Sequence, residues 1–128
     1  MWKILVVDDN QNNCDLICEI LAGIAECDVA MNGKKALEIY KASLGAVRKY
    51  DMILLDIAMP EMDGIEVLNR IRSDEERKGV GVGKGISIIM VTAYREPFLD
   101  AFNGGCDDYI VKPVFPDELI RKIRNKLS

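Results

Sequence analysis

The sequence predicts an α/β sandwich, in which five parallel strands form one sheet with helices on its faces. Short apolar runs alternate with amphipathic stretches of helical period along the whole chain, which favours right-handed βαβ crossovers and a parallel sheet. The third run, Met-Ile-Leu-Leu, is apolar throughout, as expected of a strand buried on both faces. At 128 residues, the chain is long enough for one domain, which we expect to cover residues 1–128.

Each strand is predicted from a short apolar run that ends at polar or turn-forming residues. The five runs are residues 3–7, 27–30, 52–55, 86–91 and 109–111. The third run is the best candidate for the centre of the sheet because it contains no polar position.

Helices are predicted between the strands from apolar residues spaced three or four positions apart. The first covers about 12–22, the second follows Asn32-Gly33, the third starts at Gly64, the fourth has Pro97 in its first turn, and the fifth begins at Pro116. The side chains expected to face the core are Ala36, Leu37, Tyr40, Ile65, Leu68, Ile71, Phe98, Ala101, Phe102, Leu119, Ile120, Ile123 and Leu127.

Composition excludes several classes of function. A net charge of −4 argues against direct nucleic-acid binding, which needs a basic surface. The absence of histidine removes the commonest general base and every histidine-containing catalytic triad. The sequence contains no apolar run long enough for a membrane span and no signal-peptide pattern, so we expect a cytoplasmic protein without membrane contact.

Two local motifs have an ordinary structural interpretation. Cys14 and Cys18 lie on the apolar stripe of the first helix, so buried thiols are expected rather than a metal or redox pair. The glycine-rich segment 79–85 contains Gly83-Lys84, but the spacing and the following Gly85 do not fit a phosphate-binding loop. We expect a surface loop there and assign it no role.

The polar residues that end the apolar runs carry the functional prediction. Asp8-Asp9, Asp56, Thr92 and Lys112-Pro113 end four different runs. In a parallel sheet these ends share one edge, where open α/β folds bind their ligands. Each residue alone could be a helix cap, a solvated acid or a turn residue. Four such coincidences at one edge favour a joint site.

Three carboxylates, a hydroxyl and an ammonium suit phosphoryl chemistry with a divalent cation. Carboxylates held close together need a cation, and oxygen ligands with retained waters suit Mg²⁺. Asp9 and Asp56 are expected to bind it directly and Asp8 mainly through water. Asp56 is the best nucleophile candidate, because a carboxylate can form an aspartyl phosphate. Lys112 and Thr92 could neutralise and bond the phosphoryl oxygens.

The chain resembles the receiver domain of two-component response regulators along essentially its whole length. The motifs that carry the resemblance are Ile-Leu-Val-Val-Asp-Asp-Asn at 4–10, Leu-Leu-Asp-Ile-Ala-Met-Pro-Glu-Met-Asp-Gly at 54–64, Val-Thr-Ala at 91–93, and Asp-Asp-Tyr-Ile-Val-Lys-Pro at 107–113. The resemblance implies a flavodoxin-like (βα)5 three-layer sandwich with strand order 2-1-3-4-5.

The resemblance also implies a role for each site residue. Those implied roles are Asp56 as phospho-acceptor, Asp8 and Asp9 with the Ala58 carbonyl as further Mg²⁺ ligands, Lys112 as the pocket lysine, Thr92 and Tyr109 as the switch pair, and a cis bond between Lys112 and Pro113. A sensor histidine kinase or histidine phosphotransfer protein would donate the phosphoryl group. A second copy or a downstream protein would dock on the fourth helix, last strand and fifth helix.

The resemblance implies a signalling switch that catalyses only its own phosphorylation and dephosphorylation. Two other functions are alternatives to it. A haloacid dehalogenase-type phosphatase also uses Asp, Thr, Lys and Mg²⁺, but places its nucleophile in Asp-x-Asp, whereas Asp8 and Asp9 are adjacent. A degenerate receiver used only for binding would not need the complete set of pocket residues.

Overall fold

Strands and helices alternate along the chain in the computed structural model, which describes all residues from Met1 to Ser128. The strands are β1 (Trp2–Val7), β2 (Ala25–Ala30), β3 (Met52–Leu55), β4 (Ser87–Thr92) and β5 (Asp108–Val111). The helices are α1 (Gln11–Ile20), α2 (Gly33–Ser43), α3 (Gly64–Arg77), α4 (Phe98–Asn103) and α5 (Pro116–Leu127). No helix combines the length and the apolar character needed to cross a membrane.

All neighbouring strands are parallel, and their order is β2-β1-β3-β4-β5. This confirms the flavodoxin-like arrangement. The last residues of β1 and β3, Val7 and Leu55, are register partners, so the residues that follow these two strands emerge side by side. Strand order reverses beside β1, and a ligand crevice is expected there in open parallel sheets.

Successive residues of a strand belong alternately to two hydrophobic layers, one on each face of the sheet. Leu5, Ile53 and Met90 lie in the layer beneath α2, α3 and α4, whereas their neighbours Ile4 and Leu54 lie in the layer beneath α1 and α5. The sheet is therefore the middle layer of a three-layer sandwich. Side chains on opposite strand faces are buried because both faces are covered.

Short polar residues start three of the helices. The side chains of Asn10, Asn32 and Asp63 each accept a hydrogen bond from a backbone N–H in the first turn of α1, α2 and α3. These caps satisfy amide groups that have no partner within the helix. Because Asn10 follows Asp8-Asp9 directly, the cap also ends the β1–α1 connection sharply and keeps both acids at the sheet edge.

The expected burial of the α4 aromatic side chains is wrong. Phe98 is 46% exposed and Phe102 is 38% exposed, and only Ala101 is fully buried. In this six-residue helix Phe98 and Phe102 lie one turn apart on the outer side, with their rings 4.6 Å apart. The two rings pack against each other, and Phe98 also lies 5.5 Å from the ring of the buried Tyr109, so α4 places its aromatic side chains at the margin of the core rather than inside it.

Smaller differences concern helix faces and element ends. In α3, Val67 is buried while Ile65 is only partly buried, and in α5 Ile120 and Leu127 pack at the margin of the core. Strand β2 begins at Ala25, two residues before the predicted run. Its central residues are partly exposed, as is typical of an edge strand with a mixed pattern. Cys14 is buried as expected, and Cys18 is partly buried.

Candidate functional site

Three carboxylates meet where β1 and β3 end. One oxygen each from Asp8, Asp9 and Asp56 lies within 4.8 Å of the others. Asp8 and Asp56 are buried, and Asp9 is exposed. The fold produces this cluster because Asp8 and Asp56 directly follow paired strands, and Asp8 is fixed further by the Asn10 N–H, which donates to it at 2.9 Å.

Lys112 brings a positive charge into the cluster from β5, two strands away from β3. Its Nζ lies 2.8 Å from Asp8 Oδ2 and 3.2 Å from Asp56 Oδ2. The Lys112 N–H donates to the Thr92 carbonyl at 2.8 Å, which continues the β4–β5 pairing to the edge of the sheet. The bond between Lys112 and Pro113 is cis.

The electrostatic environment affects Asp56 and Lys112 differently. Burial, together with the charge of Asp8, raises the pKa of Asp56 above its ordinary value, although Lys112 opposes this rise. Burial opposes the charge on Lys112, but its hydrogen bond with Asp8 and the attraction of Asp56 outweigh burial and raise the pKa of Lys112. The surroundings therefore favour the protonated form of Lys112 and disfavour the ionised form of Asp56.

Thr92 places a hydroxyl at the same edge. It is the last residue of β4 and is 0% exposed, and its Oγ1 makes no well-formed hydrogen bond, although it lies close enough to Asp56 to favour the ionised form of that carboxyl. Buried hydroxyl groups are nearly always hydrogen-bonded, because leaving one unpaired costs free energy. The hydroxyl is thus available to a further hydrogen-bonding group at the site.

Tyr109 of β5 is buried next to β4, the strand that ends at Thr92. The residue is 6% exposed, and its hydroxyl donates to the Tyr94 carbonyl. Its ring lies 5.5 Å from the Phe98 ring, so Tyr109 joins β5 to α4. The side chain predicted as part of the switch pair therefore connects the strand next to β4 with the exposed aromatic helix.

The loop after Asp56 is held tightly against that residue. A Cβ atom on Gly64 would lie 2.1 Å from the Asp56 carbonyl oxygen, so only glycine fits where α3 starts. The Ala58 N–H lies 3.4 Å from Asp56 Oδ1 and donates to it. Ala58 is exposed at the edge of the carboxylate cluster, where its carbonyl was predicted as a metal ligand.

The donor set fits Mg²⁺. Three carboxylates face one ammonium, so two negative charges of the cluster are not balanced by Lys112. The three groups offer only oxygen atoms, which hard divalent cations prefer, and Asp9 is exposed where retained waters have room. Asp8, Asp9 and Asp56 are accordingly the residues that could hold the cation.

A second ion cluster, which the sequence did not predict, lies at the opposite end of the sheet. Arg72 donates to the carboxylates of Glu75 and Asp107 at 2.8 and 3.0 Å and to the carbonyls of Ile86 and Gly105. These groups come from α3, the start of β4 and the connection between α4 and β5. Only the fold brings them together, because 35 positions separate Arg72 from Asp107.

Comparisons with known proteins agree with this geometry. The hybrid signal transduction histidine kinase L of Dictyostelium discoideum is 38% identical over 117 residues, which are 89% of this chain and 7% of that protein. The transcriptional regulatory protein ResD of Bacillus subtilis is 38% identical over 125 residues, which are 95% of this chain and 46% of that protein. The chain thus spans less than half the length of either relative.

A solved structure and a family profile extend the similarity to the whole fold. The response regulator protein TrrA of Thermotoga maritima, solved in complex with Mg(2+)-BeF, superposes with a TM-score of 0.82 at 35% identity and covers 99% of this chain and 100% of that one. Residues 4–124 match the profile described as "Response regulator receiver domain". The chain therefore belongs to the response regulator receiver domain family of two-component systems.

Proposed function

We propose that Asp56 is the phosphoryl acceptor of this receiver domain. The observation that carries the proposal is the contact between Asp56 and Lys112 inside a cluster that also contains Asp8 and Asp9. Asp56 ends the central strand β3, and an ammonium already lies where charge must be neutralised. Asp8 follows β1 rather than the central strand, and Asp9 is exposed and makes no contact with Lys112.

The proposed reaction transfers a phosphoryl group from a phosphohistidine to Asp56. A carboxylate oxygen of Asp56 forms a bond to phosphorus as the bond from phosphorus to the donor imidazole breaks, and the imidazole leaves with the electron pair and takes a proton from solvent. The carboxylate must be ionised to attack. Lys112 favours the ionised form, in opposition to the burial that raises the pKa of Asp56.

Asp8, Asp9 and Asp56, with the Ala58 carbonyl, would hold Mg²⁺ at this site. When bound, the cation supplies positive charge for the carboxylates and the phosphoryl oxygens. The similarity to TrrA, whose structure contains Mg(2+)-BeF, supports this assignment.

Lys112 and Thr92 would bind the oxygens of the transferred group. The Lys112 ammonium can exchange its contact with Asp56 for one with a phosphoryl oxygen while it keeps its 2.8 Å contact with Asp8. The Thr92 hydroxyl can donate to another oxygen. Thr92 lies two residues before Tyr94, whose carbonyl accepts a hydrogen bond from the Tyr109 hydroxyl. A movement of Thr92 would therefore change how β5, which carries Tyr109, packs against α4.

The proposed partners are a sensor histidine kinase or a histidine phosphotransfer protein as donor, and a downstream protein or second copy on the α4–β5–α5 face. The exposed side chains of Phe98, Leu99 and Phe102 support a docking role for that face. The chain would act in the cytoplasm, where kinases draw on ATP, and its own catalysis would be limited to gaining and losing its phosphoryl group.

Chemical trapping tests the acceptor. The protein is treated with acetyl phosphate and Mg²⁺, reduced with borohydride, which converts an aspartyl phosphate to homoserine, and digested for peptide mapping. We expect homoserine at position 56. Homoserine at position 8 or 9 with unchanged Asp56 would contradict the assignment.

A further inference from the structure

A cavity of about 550 Å³ opens at the end of the sheet opposite to Asp56. It lies between α2, α3 and the glycine-rich segment 79–85 that leads into β4. Two of its lining residues, Tyr50 and Ile86, precede β3 and β4, so the cavity faces the amino ends of these strands. Its volume is in the range of small-molecule sites, which is about 300–1,000 Å³.

One wall of the cavity carries an unpartnered hydroxyl. Tyr40 of α2 lines the cavity and is 3% exposed, but its hydroxyl makes no hydrogen bond within the chain. By contrast, the hydroxyl of Tyr50 donates to Asp28 at 2.6 Å. Burial, together with the charges of Glu75 and Asp74, raises the pKa of Tyr40 to about 12. The hydroxyl therefore remains a hydrogen-bond donor at neutral pH.

Lysines outnumber acids among the residues that line the cavity, which include Lys49, Lys78 and Lys84 against Asp74 and Glu75. The two acids that line the cavity are already paired: Asp74 with Arg77 and Lys78, and Glu75 with Arg72. Two further lining residues, Lys49 and Lys84, form no ion pair. Lys49 and Lys84, both exposed, thus contribute two unpaired positive charges to the lining of the cavity, although the chain as a whole has a net charge of −4.

The wall formed by the glycine-rich segment is held in place. A Cβ atom on Gly85 would lie 2.1 Å from Glu75 Oε1, so the carboxylate packs directly against the chain at this glycine. Glu75 Oε2 also accepts from the Ile86 N–H at 2.8 Å. The segment is therefore fixed to α3 where it borders the cavity, and the cavity exists before any ligand enters.

We propose that this cavity binds a small organic monocarboxylate with an apolar body. The Tyr40 hydroxyl and the ammonium groups of Lys49 and Lys84 would bind the carboxylate, and the side chains of Leu44 and Val80 would contact the apolar part. A single negative charge is favoured over two because Asp74 and Glu75 lie in the same wall. The site is separate from the carboxylate cluster and stands whether or not Asp56 is phosphorylated.

Amide proton–nitrogen correlation spectra of the whole chain test the proposal, with hydrocinnamate and hexanoate as probes. We expect saturable shifts at millimolar concentration, centred on the amides of Ser43 and residues 79–86. The uncharged amide of hydrocinnamate is expected to bind at least roughly tenfold more weakly, the factor that corresponds to about 1.4 kcal/mol.

Matched variants locate the site. Tyr40→Phe and Lys84→Gln are each expected to weaken probe binding roughly three- to tenfold, since each removes one polar contact with a charged group. Lys126→Gln on the exposed side of α5 is expected to leave binding unchanged. The proposal is overturned if neither acid gives saturable shifts at these amides, if the amide binds equally well, or if the shifts centre on Phe98 and Phe102.

Discussion

The ammonium of Lys112 lies 3.2 Å from the carboxylate of Asp56, although 56 positions separate the two residues. This contact crosses from β5 to β3 and passes the buried end of β4. The same ammonium also contacts Asp8 at 2.8 Å. One positive charge thus connects three strands of the sheet at the edge where the carboxylates meet.

Replacing Lys112 with Met should lower the free energy of unfolding. The substitution keeps the length of the side chain but leaves the buried carboxylates of Asp8 and Asp56 without their counter-charge. Removing one partner of a buried ion pair typically costs about 3–5 kcal/mol, and we expect a loss of about 3 kcal/mol in metal-free buffer. Urea denaturation measures it. Lys126→Met, on the exposed side of α5, is the control, and an equal effect of both substitutions would contradict the account.

Replacing Asp56 with Asn should raise the free energy of unfolding at neutral pH in metal-free buffer. Because the pKa of Asp56 is raised in the folded protein, its ionised form destabilises the fold relative to the unfolded chain. Protonated Asp56 contributes stability that is fully present below the ordinary aspartate pKa. This contribution is lost as the pH rises through the pKa of Asp56 in the folded protein.

The advantage of Asp56→Asn should therefore shrink as the pH falls toward about 3, where wild-type Asp56 is protonated as well. Lys112 keeps its contact with Asp8 in this variant. Denaturation curves at several pH values measure the difference. The exposed Glu76→Gln substitution should change stability by no more than about 0.5 kcal/mol. A stability difference for Asp56→Asn that grows at acid pH would show that the sign is wrong.

Thr92→Val should not destabilise the protein. The Thr92 hydroxyl is buried and makes no well-formed hydrogen bond, so an apolar group of the same shape should raise the free energy of unfolding by about 1 kcal/mol. The variant should also respond less to beryllofluoride with Mg²⁺, since it cannot donate to the bound anion. Tyrosine fluorescence can follow this response.

Thr92→Ser is the matched variant. It keeps the hydroxyl and removes a buried methyl group, so we expect it to lose about 1 kcal/mol of stability but to retain the response to beryllofluoride. If Thr92→Val lost more stability than Thr92→Ser, the hydroxyl would already have a stabilising partner in the free protein.

Arg72→Met should be far more destabilising than Arg70→Met, although both residues lie on α3. Arg72 is mostly buried and bonds two carboxylates and two carbonyls, whereas Arg70 is exposed and pairs only with Glu66 at 3.5 Å. We expect losses of about 3 kcal/mol for Arg72 and no more than about 0.5 kcal/mol for Arg70. Comparable losses, measured by chemical denaturation, would mean that Arg72 is not a central contact.

The sequence was most predictive where local pattern and burial agree. Strand β3 is apolar at every position and is buried on both faces, so its run alone indicated a central strand. The polar residues at the carboxyl ends of β1, β3, β4 and β5 were correctly predicted to lie close together, because parallel strands share one carboxyl edge. The expected burial of Phe98 and Phe102 failed because an apolar side chain can equally belong to an exposed patch.

The contacts made by Arg72 could not be predicted for a different reason. Arg72 acts through carbonyls and carboxylates at the starts of β4 and β5, and these become neighbours only once the sheet has its order. The cavity beside Tyr40 depends on the path of the glycine-rich segment, whose composition carries no periodic signal.

Intact-mass spectrometry of wild-type protein and Asp56→Asn, each incubated with acetyl phosphate and Mg²⁺, determines whether Asp56 accepts the phosphoryl group. We expect one added phosphoryl mass on the wild-type chain, none on the variant, and none on the wild type when a chelator removes Mg²⁺. One phosphoryl mass on Asp56→Asn at the wild-type level would show that another residue is the acceptor.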